Sequence, residues 1–320
     1  MLTERFPRYW RSDAAGRRLP YLDRLIFKII PNSNTLLTQI RSGEIDLITQ
    51  TPYDQAKQMR GLAGVELIRA PLLSWQHLDF NFRNPMLADR QVRLAIAHAI
   101  DRAPLARAQG TFPVPIKSPV VPVFDFYDPA LPAIPHDPAK ARALLDAAGY
   151  AGTALRTRGG RPMRFRFLVQ AGKSNDELAQ QVIIAQLKAI GIDAYADNKT
   201  GVSHRQARYT GQYDLNYSTW VTGADPIYSR FYATKGANNG QGYSNPALDG
   251  VLAAMEGTLD PDARRRSAFA MQRILLDDLP SVPLTSNVAV VTKRSALAGF
   301  TPNPTNMTPF VGSAFWRWRA

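Results

Sequence analysis

Apolar residues with a period of two and apolar residues with the period of a helix follow one another along this whole sequence, and that mixture restricts it to α/β architectures. Leu25 to Ile30 reads as a strand closed by Pro31, and Glu44 to Ile48 as another that alternates acidic and apolar residues. Between them Leu36, Leu37 and Ile40 form the apolar side of a short helix, capped by Ser33 or Asn34 and stopped by Gly43. Residues 52–61 suggest one more short helix, and Leu72 to Phe82 an extended segment with Trp75 inside it. Asp89 is placed to cap a helix whose stripe is Val92, Leu94, Ala95, Ile96, Ala99 and Ile100.

Residues 111–136 are dense in proline, which removes backbone donors and fixes φ, so this stretch reads as a surface-wrapping loop. Asp137-Pro138 then supplies an N-cap followed by proline in the first turn, with Ala141, Leu144, Leu145 and Ala148 inward and Gly149 at the end. Phe165, Phe167 and Val169 alternate as a strand does. Ser174 and Glu177 have capping-box spacing for a helix that reaches Ile190 and stops at Gly191. Ile192 to Ala196 and the series Tyr213, Leu215, Tyr217 read as strands, the second leading into Trp220. Leu248, Val251, Leu252 and Met255 suggest a helix, Asp260-Pro261 opens another, and Val288 to Thr292 forms a strand. Trp316 and Trp318 fall on one face of a terminal strand.

The 320 residues suffice for two lobes. Hydrophobic residues make up 45% and charged residues 20%, a globular balance. No apolar run approaches the ~18–20 residues of a membrane span. The absence of cysteine excludes disulfides, thiol nucleophiles and thiolate-bound metals. The net charge of +13 attracts anionic surfaces. Its arginines are dispersed, with one run at Arg264-Arg265-Arg266, and no helix-turn-helix or zinc-finger pattern accompanies them, so nucleic acid is not an expected partner. His77, His98, His136 and His204 have no mutual i,i+3 or i,i+4 spacing, which disfavours a protein-held zinc. Neither a Gly-x-Ser-x-Gly elbow nor a phosphate-binding loop is present, and no catalytic constellation is seen. No cofactor is expected.

Several segments taken together resemble the peptide, opine and nickel-binding family of extracellular solute-binding proteins. They are Tyr9-Trp10 with Pro20 to Pro31, Gln39 to Leu47, Phe80 to Pro85 with Asp89 to Arg102, Asp137 to Gly149, Gln186 to Ile192, and Trp220 to Pro226. None is specific alone; their order and spacing carry the likeness. The resemblance implies a two-lobe, class II periplasmic-binding-protein-like α/β fold with a solute trapped between lobes. The implied first lobe comprises residues 1–81 and a return segment, 283–320, with residues 82–282 as an inserted second lobe. It further implies a monomer in the periplasm that delivers a peptide or other small polar solute to an ABC permease. Relatives carry an export signal and further residues of the first lobe before the Tyr-Trp segment. The sequence starts just before that segment, with no signal peptide in Met1 to Trp10, so the first lobe is expected to be incomplete at its N-terminus. Two other readings are a ligand-sensing module of a regulator and a truncated, non-functional fragment.

A peptide cleft needs a carboxylate for the ligand's amine and a cation for its carboxylate. In dipeptide- and oligopeptide-binding relatives an Asp lies three residues after the tryptophan matching Trp220; here that position is Gly223, and the nearby acid is Asp225, which also suits a turn before Pro226. Where dipeptide-binding relatives carry an Arg after the strand matching Leu168 to Gln170, this chain has Lys173, a point charge without a bidentate fork. Trp220 and Trp75 are candidates for aromatic cleft walls, with core packing as the competing role. Thr222, Tyr217 and Tyr243 complete the candidate set.

Overall fold

The structure is a computed structural model that describes residues 1–108, 113–305 and 310–319. Two compact units emerge, Met1–Leu72 with Val288–Ala320, and Leu73–Asn287. The divisions fall along two long strands, at Leu72/Leu73 and Asn287/Val288, rather than at 81/82 and 282/283. In chain order the main elements are α1 (Ser33–Ser42), α2 (Tyr53–Met59), β1 (Val65–Phe80), α3 (Arg90–Ala99), α4 (Pro138–Ala147), β2 (Arg164–Gln170), α5 (Ser174–Lys188), β3 (Asp193–Lys199), α6 (Gly201–Thr210), β4 (Leu215–Val221), α7 (Pro246–Glu256), α8 (Pro261–Asp278) and β5 (Ser281–Arg294).

In the first unit, Leu37 and Ile40 of α1 pack with Ile48 and Met59. The cap of α1 is Asn32, not Ser33 or Asn34: its backbone is extended, and its Oδ1 accepts from the N–H groups of Asn34 (2.9 Å) and Thr35 (3.1 Å). Gly43 ends the helix at φ +81°, a conformation a side chain would strain. Leu47–Ile48 pairs antiparallel with Lys293 and Thr292 of β5, and the hydroxyls of Thr51 and Thr292 meet at 2.7 Å. The strand expected over Leu25 to Ile30 is shorter, Arg24–Ile26, and pairs with Leu2–Glu4. Trp316 lies just before the terminal strand Arg317–Trp318 and is buried, whereas Trp318 is exposed, so the two do not share a face.

The second unit is built on one sheet in the order β5–β1–β4–β2–β3. Strands β4, β2 and β3 are mutually parallel, and β1 runs antiparallel to β4. The β1–β4 register sets Trp75 opposite Trp220, His77 opposite Ser218 and Asp79 opposite Asn216. Side chains alternate along a strand, so these six share one face, while Leu78, Phe80, Leu215 and Tyr217 take the other. That second face meets Ile96 of α3, Leu145 of α4 and Ile183 of α5 in the larger core. Trp75 and Trp220 enter a separate core with Phe231, Leu252 of α7 and Met271 of α8. Each fully buried Leu, Phe or Met contributes about 1.5–3 kcal/mol, so the two layers fix the sheet from both sides.

Asp89, Asp137 and Asp260 cap α3, α4 and α8 as the sequence indicates. Helix α5 departs from expectation. Ser174 lies inside its first turn; the capping position is Lys173, which makes no side-chain cap, and Glu177 Oε1 instead accepts from the N–H of Gly172 at 3.0 Å. The proline-dense loop is irregular apart from Val114–Pro115, which pairs with β5; its first residues, 111 and 112, lie outside the described residues.

Candidate functional site

Parallel strands end together, and their C-terminal edge is where open α/β sheets hold ligands. In the second unit β2 runs out into α5, and β3 into α6. A cavity of about 180 Å³ opens there. Gln170, Lys173 and Asp176 line it from the β2–α5 junction, Gly201, His204, Arg205, Arg208 and Tyr209 from α6, and Tyr217, Ser218 and Thr219 from β4. Neither helix start is closed by a side chain: Lys173 and Thr200, at the two capping positions, make no cap hydrogen bond. Lys173 at the start of α5 and Gly201 at the start of α6 border the same opening, at the positive ends of the two helix dipoles.

Arg208 connects this cavity to a hollow of about 10 Å³, the room of a single water, lined also by Asp79, Tyr213, Trp220 and Phe231. Its guanidinium carbon sits 3.5 Å from the centroid of the Trp220 ring, a cation–π contact. The His77 ring lies parallel to Trp220, centroids 5.7 Å apart and planes 3° from coincidence. His77 Nε2 is 3.2 Å from Asp79 Oδ2, to which Asn216 Nδ2 also donates at 2.9 Å. Burial opposes ionisation of Asp79, yet His77, Arg208 and Asn216 together hold its carboxyl below the usual carboxylate range. Burial also lowers Arg208 from its ordinary value, with Asp79 opposing. His204, only 6% exposed, is pushed down to about 4 by burial and then by Arg208 and Lys173, so its ring is neutral near pH 7. Burial raises Asp176. Among the described residues no hydrogen-bond partner reaches His204 Nε2, Arg208 Nε or Arg208 Nη2.

Of the candidates named from the sequence, Lys173 and Tyr217 line the cavity and Trp220 lines the adjoining hollow. The others have internal or remote positions. Trp75 is fully buried and meets Phe231 edge-on at 5.7 Å. Thr222 Oγ1 donates to the Leu73 carbonyl at 3.1 Å. The Tyr243 hydroxyl donates to Asp278 Oδ2 at 2.5 Å in a buried setting that pushes its ionisation upward. Gly223 and Asp225 are exposed, and Asp225 is ion-paired with Arg264. Sequence reasoning missed His204, Arg205, Arg208, His77 and Asp79. The available signal was the i,i+4 spacing of His204 and Arg208, which puts both on one side of a helix.

Residues 1–242 match the family model described as bacterial extracellular solute-binding proteins, family 5 Middle. The oligopeptide-binding protein OppA of Mycobacterium tuberculosis is 30% identical over 308 residues, which make up 92% of this chain and 50% of that protein. The glutathione-binding protein GsiB of Escherichia coli is 26% identical over 305 residues, 93% of this chain and 58% of that protein. The chain thus spans about half the length of the curated relatives it matches. Among solved structures, NikA from Brucella suis superposes with a TM-score of 0.84 at 20% identity, covering 99% of this chain and 65% of that one. The fold is that of the two-lobe periplasmic binding proteins.

Proposed function

Since the chain belongs to the bacterial extracellular solute-binding proteins of family 5, we propose that it works as the solute-binding component of an ABC importer in the periplasm, taking up a peptide-like or other small polar solute and passing it to a membrane permease. The observation that carries this reading is the cavity at the C-terminal edge of β2, β3 and β4. It joins a concave opening, hydrogen-bonding side chains, uncapped helix starts and an aromatic wall behind Arg208, the ingredients of small-molecule recognition. Names of the relatives point the same way, toward oligopeptides and glutathione. Lys173 and Tyr217 contact the solute directly in this reading, and Trp220 acts through Arg208.

Native mass spectrometry of the purified chain, beside the same sample denatured, tests it. A small molecule carried by the native protein and released on denaturation supports the reading, and its mass assigns the solute class. A uniformly bare chain, together with no thermal shift across a panel of di- and tripeptides, rules the reading out for this chain.

A further inference from the structure

The lining of the cavity is unbalanced in charge. Lys173, Arg205 and Arg208 face it against one carboxylate, Asp176. Glu177 is not among the lining residues, and its carboxylate already accepts from Gly172. Asp79 lines not the cavity but the adjoining hollow, where His77 and Asn216 meet its Oδ2 and Arg208 adds its charge. The starts of α5, 15 residues long, and α6, 10 residues long, border the cavity at Lys173 and Gly201 and carry no side-chain cap. Helix N-termini recur in proteins and do not by themselves make a site. Here a second observation stands beside them: His204 is buried to 6% exposure, lines the same cavity, and its Nε2 has no hydrogen-bond partner among the described residues. Arg208 brings two more unpartnered donor atoms, and its stacking on Trp220 fixes the plane of the guanidinium. Placed donors of this kind, in a partly dry site, suit an oxyanion far better than a neutral or cationic group.

We propose that this cavity holds its solute by an oxyanion end, a phosphate ester or a pair of neighbouring carboxylates, bound beside the starts of α5 and α6 by Lys173, Arg205 and Arg208 with His204 as a further partner. The inference rests on the solute-binding reading and specifies which end of the solute enters. Charge sets the sign: Asp176 faces one cation and Asp79 in the adjoining hollow partly offsets Arg208, so the lining keeps a positive excess that an oxyanion neutralises. In this arrangement the Arg208 fork takes two oxygens in one plane, and Lys173 and Arg205 take the others. His204 meets the anion as a ring that gains a proton as the anion arrives, because the incoming charge offsets Arg208 and Lys173.

Calorimetric titration of the full chain with inorganic phosphate, with succinate and with neutral succinamide tests the proposal. At least one of the two anions binds with one-to-one stoichiometry, and succinamide binds at least about tenfold more weakly. Tighter phosphate identifies a phosphate ester, tighter succinate a dicarboxylate. The double variant Lys173→Gln, Arg205→Gln, at two exposed positions, keeps the melting temperature and weakens the anion by about tenfold or more. Arg266→Gln, exposed on α8 and away from the cavity lining, leaves affinity unchanged. Proton NMR of the His204 ring shows its titration move upward on saturation with the anion. Equal binding of succinamide, indifference to the double variant, or an equal loss in Arg266→Gln overturns the proposal. If native mass spectrometry finds a neutral or cationic solute that the double variant retains, the oxyanion site is refuted while the solute-binding reading stands. A bare chain without a thermal shift across the peptide panel, whose anion binding still depends on Lys173 and Arg205, refutes the solute-binding reading and leaves an anion site.

Discussion

His204 makes the stability of this chain fall in mild acid, by an amount that follows from its setting. Its ring is driven from 6.5 down to about 4, chiefly by burial and then by the charges of Arg208 and Lys173. Arg205, Asp176, Tyr209 and Tyr217 are the other titratable neighbours around the cavity. The lowered value belongs to a base, so the unfolded chain binds a proton at this position below pH 6.5 that the folded chain refuses until about pH 4. Stability is therefore lost as pH falls through that window, and at pH 5 the loss relative to pH 8 is about 2 kcal/mol. Urea unfolding followed by circular dichroism at pH 8 and pH 5, on the chain and on His204→Asn, isolates the effect because every other titration is common to both. The variant should lose about 2 kcal/mol less than the parent. An equal loss in both proteins, or a His204 ring that titrates near 6.5 by NMR, would refute the reasoning.

Three further changes probe the scaffold that holds the site. Arg93, buried on the inner side of α3, donates to the carbonyls of Leu87 (2.8 Å), Ala88 (2.7 Å), Asp278 (2.7 Å) and Leu279 (3.1 Å); Arg93→Met strands these acceptors and should cost about 3 kcal/mol in urea unfolding. Leu279 closes α8 at φ +51° with its side chain buried, so Leu279→Gly trades about 1 kcal/mol of relieved backbone strain for a larger cavity cost and destabilises by about 2 kcal/mol net in the same assay. A Cβ at Gly240 would collide with the carbonyl oxygen of Arg208, so Gly240→Ala should displace the end of α6, cost about 2 kcal/mol and weaken solute binding together with the melting temperature.

Which parts of this could be read in the sequence follows from where apolar patterning was intact. Helices α3, α4 and α8 were legible because an aspartate cap precedes a regular apolar stripe. The long strands were seen in part, at 72–82 and 288–292: Glu66, Arg69 and Pro71 break the pattern in the unread start of β1, and Thr285, Ser286 and Asn287 break it in that of β5. Thr285 and Asn287 are satisfied across strands: Thr285 Oγ1 donates to Gln76 Oε1 at 2.6 Å, and Asn287 Nδ2 to Ser74 Oγ at 3.0 Å. Helix α6 escaped notice for a related reason. Its buried side is His204 and Ala207 with half-buried Arg208, so a helix that packs on the sheet presents almost no apolar stripe. The pairing of Trp75 with Trp220 lies in strand register, which separates residues 145 positions apart and leaves no local trace.

The two uncapped helix starts have a consequence for how this molecule changes over time. The floor beneath them, with Trp220, His77, Asp79 and Asn216 interlocked, tolerates little exchange, because each group is held by the next. Lys173 and Arg205 stand on the rim instead, open to solvent and bound to nothing the fold requires for its core. On the proposed reading, exchange at the rim alters what enters the cavity at almost no cost in stability, which decouples the choice of solute from the survival of the scaffold. On the same reading a lineage built on this plan changes its solute by single surface substitutions, and a designer who wishes to redirect it has the same two positions to begin with.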